Sequence, residues 1–169
     1  MPVERNWHEQ TLLDDLAEPL AKGDVEIVSY IEPLFIRFPS VYPVEMEHVM
    51  WHLVPGVQSF TAKWRNPNGS QLVESATELR SFWDKVRRDS GIGDDARVIV
   101  VGDSLIGFAL KLSIVTLNRY LVAIFSVPHN TYVFPDDMSW CLNYAFFEDG
   151  AYFAKAPPAG LVPSKRRWR

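Results

Sequence analysis

Residues 128–156, PHNTYVFPDDMSWCLNYAFFEDGAYFAKA, decide the fold of this chain. Three runs rich in aromatic and β-branched side chains are separated by two turn-forming sequences, Pro135-Asp136-Asp137 and Glu148-Asp149-Gly150. Three β-prone runs joined by two short turns predict an antiparallel meander with acidic residues at its turns.

Alternation along the middle run divides its side chains between two faces. One face is predicted to belong to the core, because large aromatic side chains dominate burial. It carries Trp140, Leu142, Tyr144 and Phe146. The other face is small and apolar for a solvent-exposed surface, so we expect a helix of the same chain or a partner to cover it. It carries Ser139, Cys141, Asn143, Ala145 and Phe147.

Length and composition predict one globular domain. The chain has 169 residues, of which 47% are hydrophobic, and this is enough for a sizeable core. We assign residues 1–157 to a single α+β domain and residues 158–169 to a basic, flexible tail. No apolar run reaches the ~18 residues that span a bilayer, and the first residues lack the pattern of a secretory signal. We therefore expect a cytoplasmic protein without a membrane partner.

Charge is unevenly distributed along the chain. Four of the seventeen basic residues lie in the tail, which leaves thirteen basic against twenty-one acidic residues in positions 1–160, a difference of −8. Such a field disfavours nucleic acid as a partner and attracts a cationic protein. The alternative interpretation is that the acidic excess serves solubility alone.

Periodicity and turn residues predict about four helices around a mixed or antiparallel sheet. The predicted helices are 6–23, 43–53, 75–91 and 116–124, and the predicted strands before the meander are 25–30, 34–38, 58–64, 71–73 and 96–101. Residues 104–116 remain open between helix and strand.

The helix 75–91 is the best specified element. Ser75 and Glu78 form a capping-box pattern at its start. An apolar stripe follows and is predicted to share one core with the buried strand 96–101 and the meander. This core is predicted to contain Leu79, Phe82, Trp83, Val86, Val98, Val100, Trp140 and Leu142.

The sequence Gly102-Asp103-Ser104-Leu105 follows a predicted buried strand and resembles the first block of the GDSL esterases. The resemblance implies Ser104 as a nucleophile, which needs a positioned base and oxyanion donors. The family's later Asp-x-x-His is absent, since His129 follows residues 125–128, FSVP. We therefore assign no catalytic residue and favour a turn in which Asp103 or Ser104 acts as a cap.

Two histidines, His48 and His52, share one face of the predicted helix 43–53 with Glu45. Histidines at positions i and i+4 can chelate Zn²⁺ or Ni²⁺. The pattern lacks the internal glutamate of His-Glu-x-x-His, and it lies opposite the apolar stripe, where polar residues are expected anyway. We predict no metal and no cofactor.

Acidic and aromatic side chains concentrate around the two turns of the meander, and they predict a surface for a protein partner. Aromatic anchors ringed by charge are typical of protein interfaces. The predicted partner-binding residues are Tyr132, Asp136, Asp137, Trp140, Glu148, Asp149 and Tyr152. The alternative is that the acidic residues simply form the turns.

The meander contains Tyr132-Val133-Phe134, then Asp137-Met138-Ser139-Trp140, then the sequence EDGAYF at 148–153. This resembles the small acidic immunity proteins of bacterial contact-dependent and polymorphic toxin systems, which end in strands with a Tyr-x-hydrophobic…Asp-x-x-Trp pattern. The resemblance implies a non-enzyme that neutralises one cognate toxin, often a basic nuclease, by tight binding. The alternatives are a small GDSL-like serine esterase using Ser104 and a housekeeping protein-interaction domain.

Overall fold

The computed structural model describes residues 4–61, 72–103, 105–145 and 148–160, with the backbone alone at 72–74. The α-helices in these ranges are α1 (Trp7–Asp15), α2 (Ala17–Lys22), α3 (Glu32–Val41), α4 (Leu72–Asp89), α5 (Ile114–Arg119) and α6 (Leu121–Ser126). A short 3₁₀ helix spans Trp51–Leu53. The strands are β1 (Val25–Val28), β2 (Val44–Glu45), β3 (His48–Val49), β4 (Gln58–Thr61), β5 (Arg97–Gly102), β6 (Ala109–Ser113), β7 (Asn130–Phe134), β8 (Trp140–Ala145) and β9 (Gly150–Lys155).

Seven strands form one antiparallel sheet in the order β1-β6-β5-β7-β8-β9-β4. The C-terminal meander is β7-β8-β9, and its middle strand pairs Leu142 with Val133 on one side and with Phe153 on the other. Strands β2 and β3 form a separate two-stranded hairpin. The prediction of a single α+β domain with an antiparallel sheet and a C-terminal meander is confirmed.

One face of the sheet packs against α1, α4, α5 and α6. The predicted core lies here: seven of its eight residues are buried in one cluster, and Phe82 packs against that cluster while partly buried. The ring centroids of Trp83 on α4 and Trp140 on β8 are 5.6 Å apart, which joins the helix stripe directly to the meander.

The opposite face of the sheet is covered by a second layer of the same chain, made of α3, the β2-β3 hairpin and the 3₁₀ helix. Phe38 of α3 packs against Tyr132 and Phe134 of β7. Cys141 is fully buried under this layer, and the hydroxyl of Tyr42 donates to the carbonyl oxygen of Met138 at 3.1 Å. The small apolar face of β8 is therefore covered by a helix of the chain itself.

The covering layer is where the sequence-based prediction of secondary structure is wrong. The predicted strand 34–38 is the helix α3, which starts with Pro33 in its first turn and tolerates Pro39 inside it. The predicted helix 43–53 is the hairpin and the 3₁₀ helix. Its proposed apolar stripe is not a buried face, because Met46 is 87% and Leu53 50% exposed.

The described part of the chain has six α-helices rather than about four, because two predicted helices are divided. The first breaks at Leu16, which ends α1 and precedes α2, and Gly23 closes α2 in a left-handed conformation with a φ of 76°. The last breaks at Tyr120, between α5 and α6. Ser113, not Thr116, caps α5 by accepting from the amide of Thr116.

The structure also decides three expectations about residues 71–75 and 104–116. Helix α4 begins at Leu72, so the predicted strand 71–73 is wrong at 72–73, and Ser75 lies inside the helix instead of capping it. Residues 109–113 form the strand β6, which decides most of the open stretch 104–116. Ser104, Phe146, Phe147, residues 62–71 and the tail beyond residue 160 lie outside the described residues.

Gly150 begins β9 where the backbone of β4 comes closest. A Cβ atom at this position would lie 2.7 Å from the carbonyl oxygen of Phe60. We expect Gly150→Ala to lower the free energy of unfolding by about 1–3 kcal/mol, because the two strands must separate to admit the methyl group. Chemical denaturation measures the change.

Gly93→Ala is the matched control, since a Cβ there meets nothing within 4 Å. We expect it to leave stability unchanged or to raise it by up to about 1 kcal/mol. Equal effects of the two substitutions would contradict the close approach of β4 and β9.

Candidate functional site

The candidate site is an open cleft of about 500 Å³ on the second face of the sheet. It lies beside the end of β8 at Ala145, the start of β7 at Asn130, and Tyr152 near the start of β9. The hairpin and the 3₁₀ helix form its other wall, with His48, Trp51 and His52. We call this space the cleft.

A hydrogen bond between the covering layer and the sheet fixes the floor of the cleft. The indole nitrogen of Trp51 donates to Oδ1 of Asn143 at 3.0 Å, and Nδ2 of Asn143 donates to the carbonyl oxygen of Thr131 at 3.2 Å. Asn143 is buried in the middle of β8, where an amide without partners would destabilise the fold. Trp51 is therefore held in one orientation.

Tyr152 continues this arrangement towards the rim. Its ring stacks on that of Trp51 with centroids 5.7 Å apart and planes 6° from parallel. Its hydroxyl donates to Oε2 of Glu148 at 2.8 Å. Burial, followed by the hydrogen bond and the charge of Glu148, raises the pKa of Tyr152 to about 12. The phenol thus stays a donor at neutral pH and does not supply a base.

Tyr132 forms part of the inner wall. Its hydroxyl accepts a hydrogen bond from the amide of Val49 at 3.4 Å, which ties β7 to the hairpin. Burial raises the pKa of Tyr132. The residue therefore acts as a neutral, fixed part of the wall.

Three histidines, His48, His52 and His129, line the cleft. The sequence placed the first two on one helix face, whereas the structure brings them to the cleft from β3 and the 3₁₀ helix. Within residues 4–61, 72–103, 105–145 and 148–160, no group of three or more histidine, cysteine, aspartate or glutamate side chains is arranged to hold a metal ion.

Asp103 lies next to His129, with 3.8 Å between its Oδ2 and the Nδ1 of the imidazole. The same carboxylate accepts from the amides of Leu105, at 3.2 Å, and Asn130, at 3.1 Å. Asp103 therefore holds the turn after β5 through its hydrogen bonds. This agrees with the prediction that Asp103 or Ser104 acts as a cap in a turn and not as part of a catalytic motif. The proposed nucleophile, Ser104, lies outside the described residues.

Cys141 is not placed for chemistry. The side chain is completely buried on the second face of the sheet, and burial raises the pKa of its thiol well above the ordinary value. A buried thiol with a raised pKa is a poor nucleophile.

The predicted partner-binding residues do not form one surface. The turn with Asp136 and Asp137 and the turn with Glu148 and Asp149 lie at opposite ends of the six-residue strand β8, roughly 17 Å apart at the usual rise of a strand. Asp136 is exposed and contacts two cations: Nζ of Lys111 lies 3.3 Å from Oδ2, and Arg37 donates to the backbone oxygen at 2.7 Å. Asp137 is exposed at the same turn.

Three members of the predicted set are buried. Tyr132 lines the inner wall of the cleft, and Trp140 packs in the first core at 8% exposure. Asp149 is 2% exposed, and its Oδ1 accepts from Ser75 at 2.9 Å and from Tyr144 at 2.7 Å. Only Glu148 and Tyr152 bring exposed or partly exposed groups of this set to the rim of the cleft.

The covering layer also exposes apolar side chains. Six large hydrophobic residues are exposed in the described part of the chain, and three of them, Ile36, Met46 and Leu53, lie in the covering layer. A fourth, Tyr30, lies just before α3. The sequence did not reveal this surface, because the helical pattern assigned to residues 43–53 placed Met46 and Leu53 in the core.

The turn between β2 and β3 is strained. Met46 and Glu47 are the two residues of this tight turn, and their φ angles are 48° and 67°. Two-residue turns with positive φ at both positions favour Asn-Gly, whereas larger side chains are uncommon there. The chain thus keeps a bulky, exposed methionine where another residue would relieve strain.

Neither a protein-family model nor a curated protein matches this chain. No helix in the part of the chain that the structure describes combines the length and the apolar character needed to cross a bilayer.

The buried position of the Asp149 side chain can be tested by substitution. Asp149→Ala removes the acceptor that the hydroxyls of Ser75 and Tyr144 share in a buried site. We expect the free energy of unfolding to fall by about 2–3 kcal/mol, as measured by urea denaturation. The control Asp136→Ala removes an exposed carboxylate and is expected to cost less than about 1 kcal/mol. Similar losses for both variants would contradict the inward orientation of Asp149.

Proposed function

We propose that this chain is a non-enzymatic, protein-binding protein that acts as an immunity protein in the bacterial cytoplasm and neutralises one cognate toxin by direct contact. The observation that carries the proposal is the covering layer. It exposes three large hydrophobic side chains, Ile36, Met46 and Leu53, and one of them, Met46, lies on a strained turn.

The exposed apolar groups support a protein partner. Single exposed hydrophobic residues are ordinary, but larger exposed apolar areas mark interaction sites, and three exposed hydrophobic side chains in one layer favour such an area. Backbone strain persists only where the surroundings maintain it, and it accumulates at functional positions. Met46 combines both properties, since it is exposed and has a positive φ.

The charge of the domain supports a basic partner. Positions 1–160 carry eight more acidic than basic residues. A field of this sign steers a cationic protein towards the domain and speeds association, and it repels nucleic acid. A toxin that acts on nucleic acid is commonly basic, so the same field suits its neutralisation.

The side chains of the cleft support binding rather than catalysis. The tyrosine hydroxyls are hydrogen-bonded and have raised pKa values, and Cys141 is buried. Trp51 and Asn143 are locked together, which is a property of a preorganised binding surface.

The test is co-expression of the chain with the protein encoded beside its gene. We expect the wild-type chain to relieve growth arrest by that protein and to form a stable complex with it on size-exclusion chromatography. The double variant Met46→Asn, Glu47→Gly replaces the strained turn with the favoured sequence. We expect it to raise the free energy of unfolding by about 1 kcal/mol and yet to bind the toxin at least tenfold more weakly.

Val115→Ser is the matched control, because Val115 is 51% exposed on α5, outside the covering layer. We expect this variant to bind and protect like the wild type. Absence of a complex, or a hairpin variant that binds as tightly as the wild type, would contradict the proposal. A complex without protection would favour a general protein-interaction domain.

A second candidate function is a small serine hydrolase, which the proximity of His129 to Asp103 favours. We expect Ser104→Ala to leave protection against the toxin unchanged, because Asp103 serves the turn and Tyr132 and Cys141 offer no activated group. Hydrolysis of p-nitrophenyl acetate by the purified chain, abolished in Ser104→Ala and in His129→Ala, would establish the hydrolase instead.

A further inference from the structure

One corner of the cleft combines a flat aromatic surface with a carboxylate. The ring of Tyr152 stacks on that of Trp51, which is 8% exposed, and the carboxylate of Glu148 lies at the edge of the Tyr152 ring, 2.8 Å from its hydroxyl. We call Trp51, Tyr152 and Glu148 the aromatic-acid corner. Asn143 fixes Trp51, so the corner is formed before any ligand arrives.

The electrostatic environment of this corner favours a cation. None of the described residues that line the cleft is a lysine or an arginine, whereas Glu148 is exposed at the rim and Asp103 lies beside His129. Tyr152 donates to one oxygen of Glu148, and a carboxylate offers about four acceptor positions in total. Glu148 can therefore accept further hydrogen bonds from a ligand.

The histidines at the mouth of the cleft are compatible with such a ligand. A neutral imidazole has one nitrogen that accepts a hydrogen bond. His48 and His52 are exposed at the mouth of the cleft, on the same wall as Trp51. They add acceptors around the entering group.

We propose that the aromatic-acid corner binds the guanidinium group of an arginine side chain presented by the protein partner. A guanidinium is planar, so it stacks on an aromatic ring while its N–H groups bind a carboxylate at the ring edge. An ammonium group satisfies the carboxylate but does not stack in this way. The cleft, at about 500 Å³, admits the side chain together with part of its backbone.

This inference rests on the proposed function for the source of the arginine, but its chemistry is testable without the partner. The probe is N-acetyl-arginine amide, and the control probe is N-acetyl-citrulline amide, which has nearly the same shape and no charge. Binding is followed at pH 8 by the indole N–H resonance of Trp51, one of six tryptophans in the chain. The spectrum of Trp51→Phe assigns that resonance.

We expect the arginine probe to shift the Trp51 resonance with a dissociation constant in the millimolar range and the citrulline probe to bind at least tenfold more weakly. Glu148→Gln keeps the shape of the rim and removes its charge, and we expect it to weaken the arginine probe at least fivefold. Glu26→Gln, an exposed residue on the edge strand β1, is the matched control and is expected to leave binding unchanged.

Three results would overturn the inference: no shift of Trp51, equal binding of the two probes, or unchanged binding in Glu148→Gln. The comparison of the two probes uses the wild-type chain, so it stands even where a variant folds poorly. A chain that binds the toxin but not the arginine probe refutes this inference and leaves the proposed function intact. A chain that binds the probe and protects against no toxin refutes the proposed function and leaves the arginine site intact.

Discussion

The burial of β8 on both faces is the constraint on which the rest of the structure depends. Every residue of this strand is buried, so each face of the sheet needs its own cover. Helices α1, α4, α5 and α6 supply the first, and residues 32–54 supply the second with shorter elements. The second layer includes a polar contact at its centre, because Asn143 in β8 needs partners and finds Trp51 and Thr131. This bond holds the 3₁₀ helix beside the strand ends, and the cleft is the space that remains between them.

The sequence predicts the first layer well because long periodic segments determine their own structure. The stripe of α4 and the alternation of β8 each point to one buried face, and they meet at Trp83 and Trp140. The second layer is made of short elements, whose conformation is decided by what they cover. Residues 43–53 satisfy a helical pattern of apolar positions, yet the chain forms a hairpin that buries Val49 and exposes Met46. The local pattern of apolar residues cannot distinguish these outcomes, since a segment of eleven residues forms a helix or a hairpin according to its contacts.

The candidate site was predictable only in part for a related reason. The turn-forming sequence correctly predicts that Glu148 and Asp149 lie between β8 and β9. It does not predict which way their side chains point. The structure turns Asp149 inward to Ser75 and Tyr144 and Glu148 outward to Tyr152. The three histidines reach the cleft from β3, from the 3₁₀ helix and from the residue before β7. Their spacing along the sequence does not predict that they line one cleft. The predicted set of acidic and aromatic residues stays a prediction as a binding surface, and the structure buries three of its members, Tyr132, Trp140 and Asp149.

The two neighbouring acids also link the stability of the fold to the geometry of the site. Asp149 has a φ of 47°, a conformation that is unfavourable for most residues and that its buried hydrogen bonds maintain. Because Asp149 is anchored to α4 through Ser75, the residue before it is held at the rim, within reach of the hydroxyl of Tyr152. The position of the Glu148 carboxylate therefore depends on contacts on the opposite side of the sheet. We therefore expect a substitution of Ser75 in α4 to shift the carboxylate of Glu148 through Asp149, although Ser75 itself does not line the cleft.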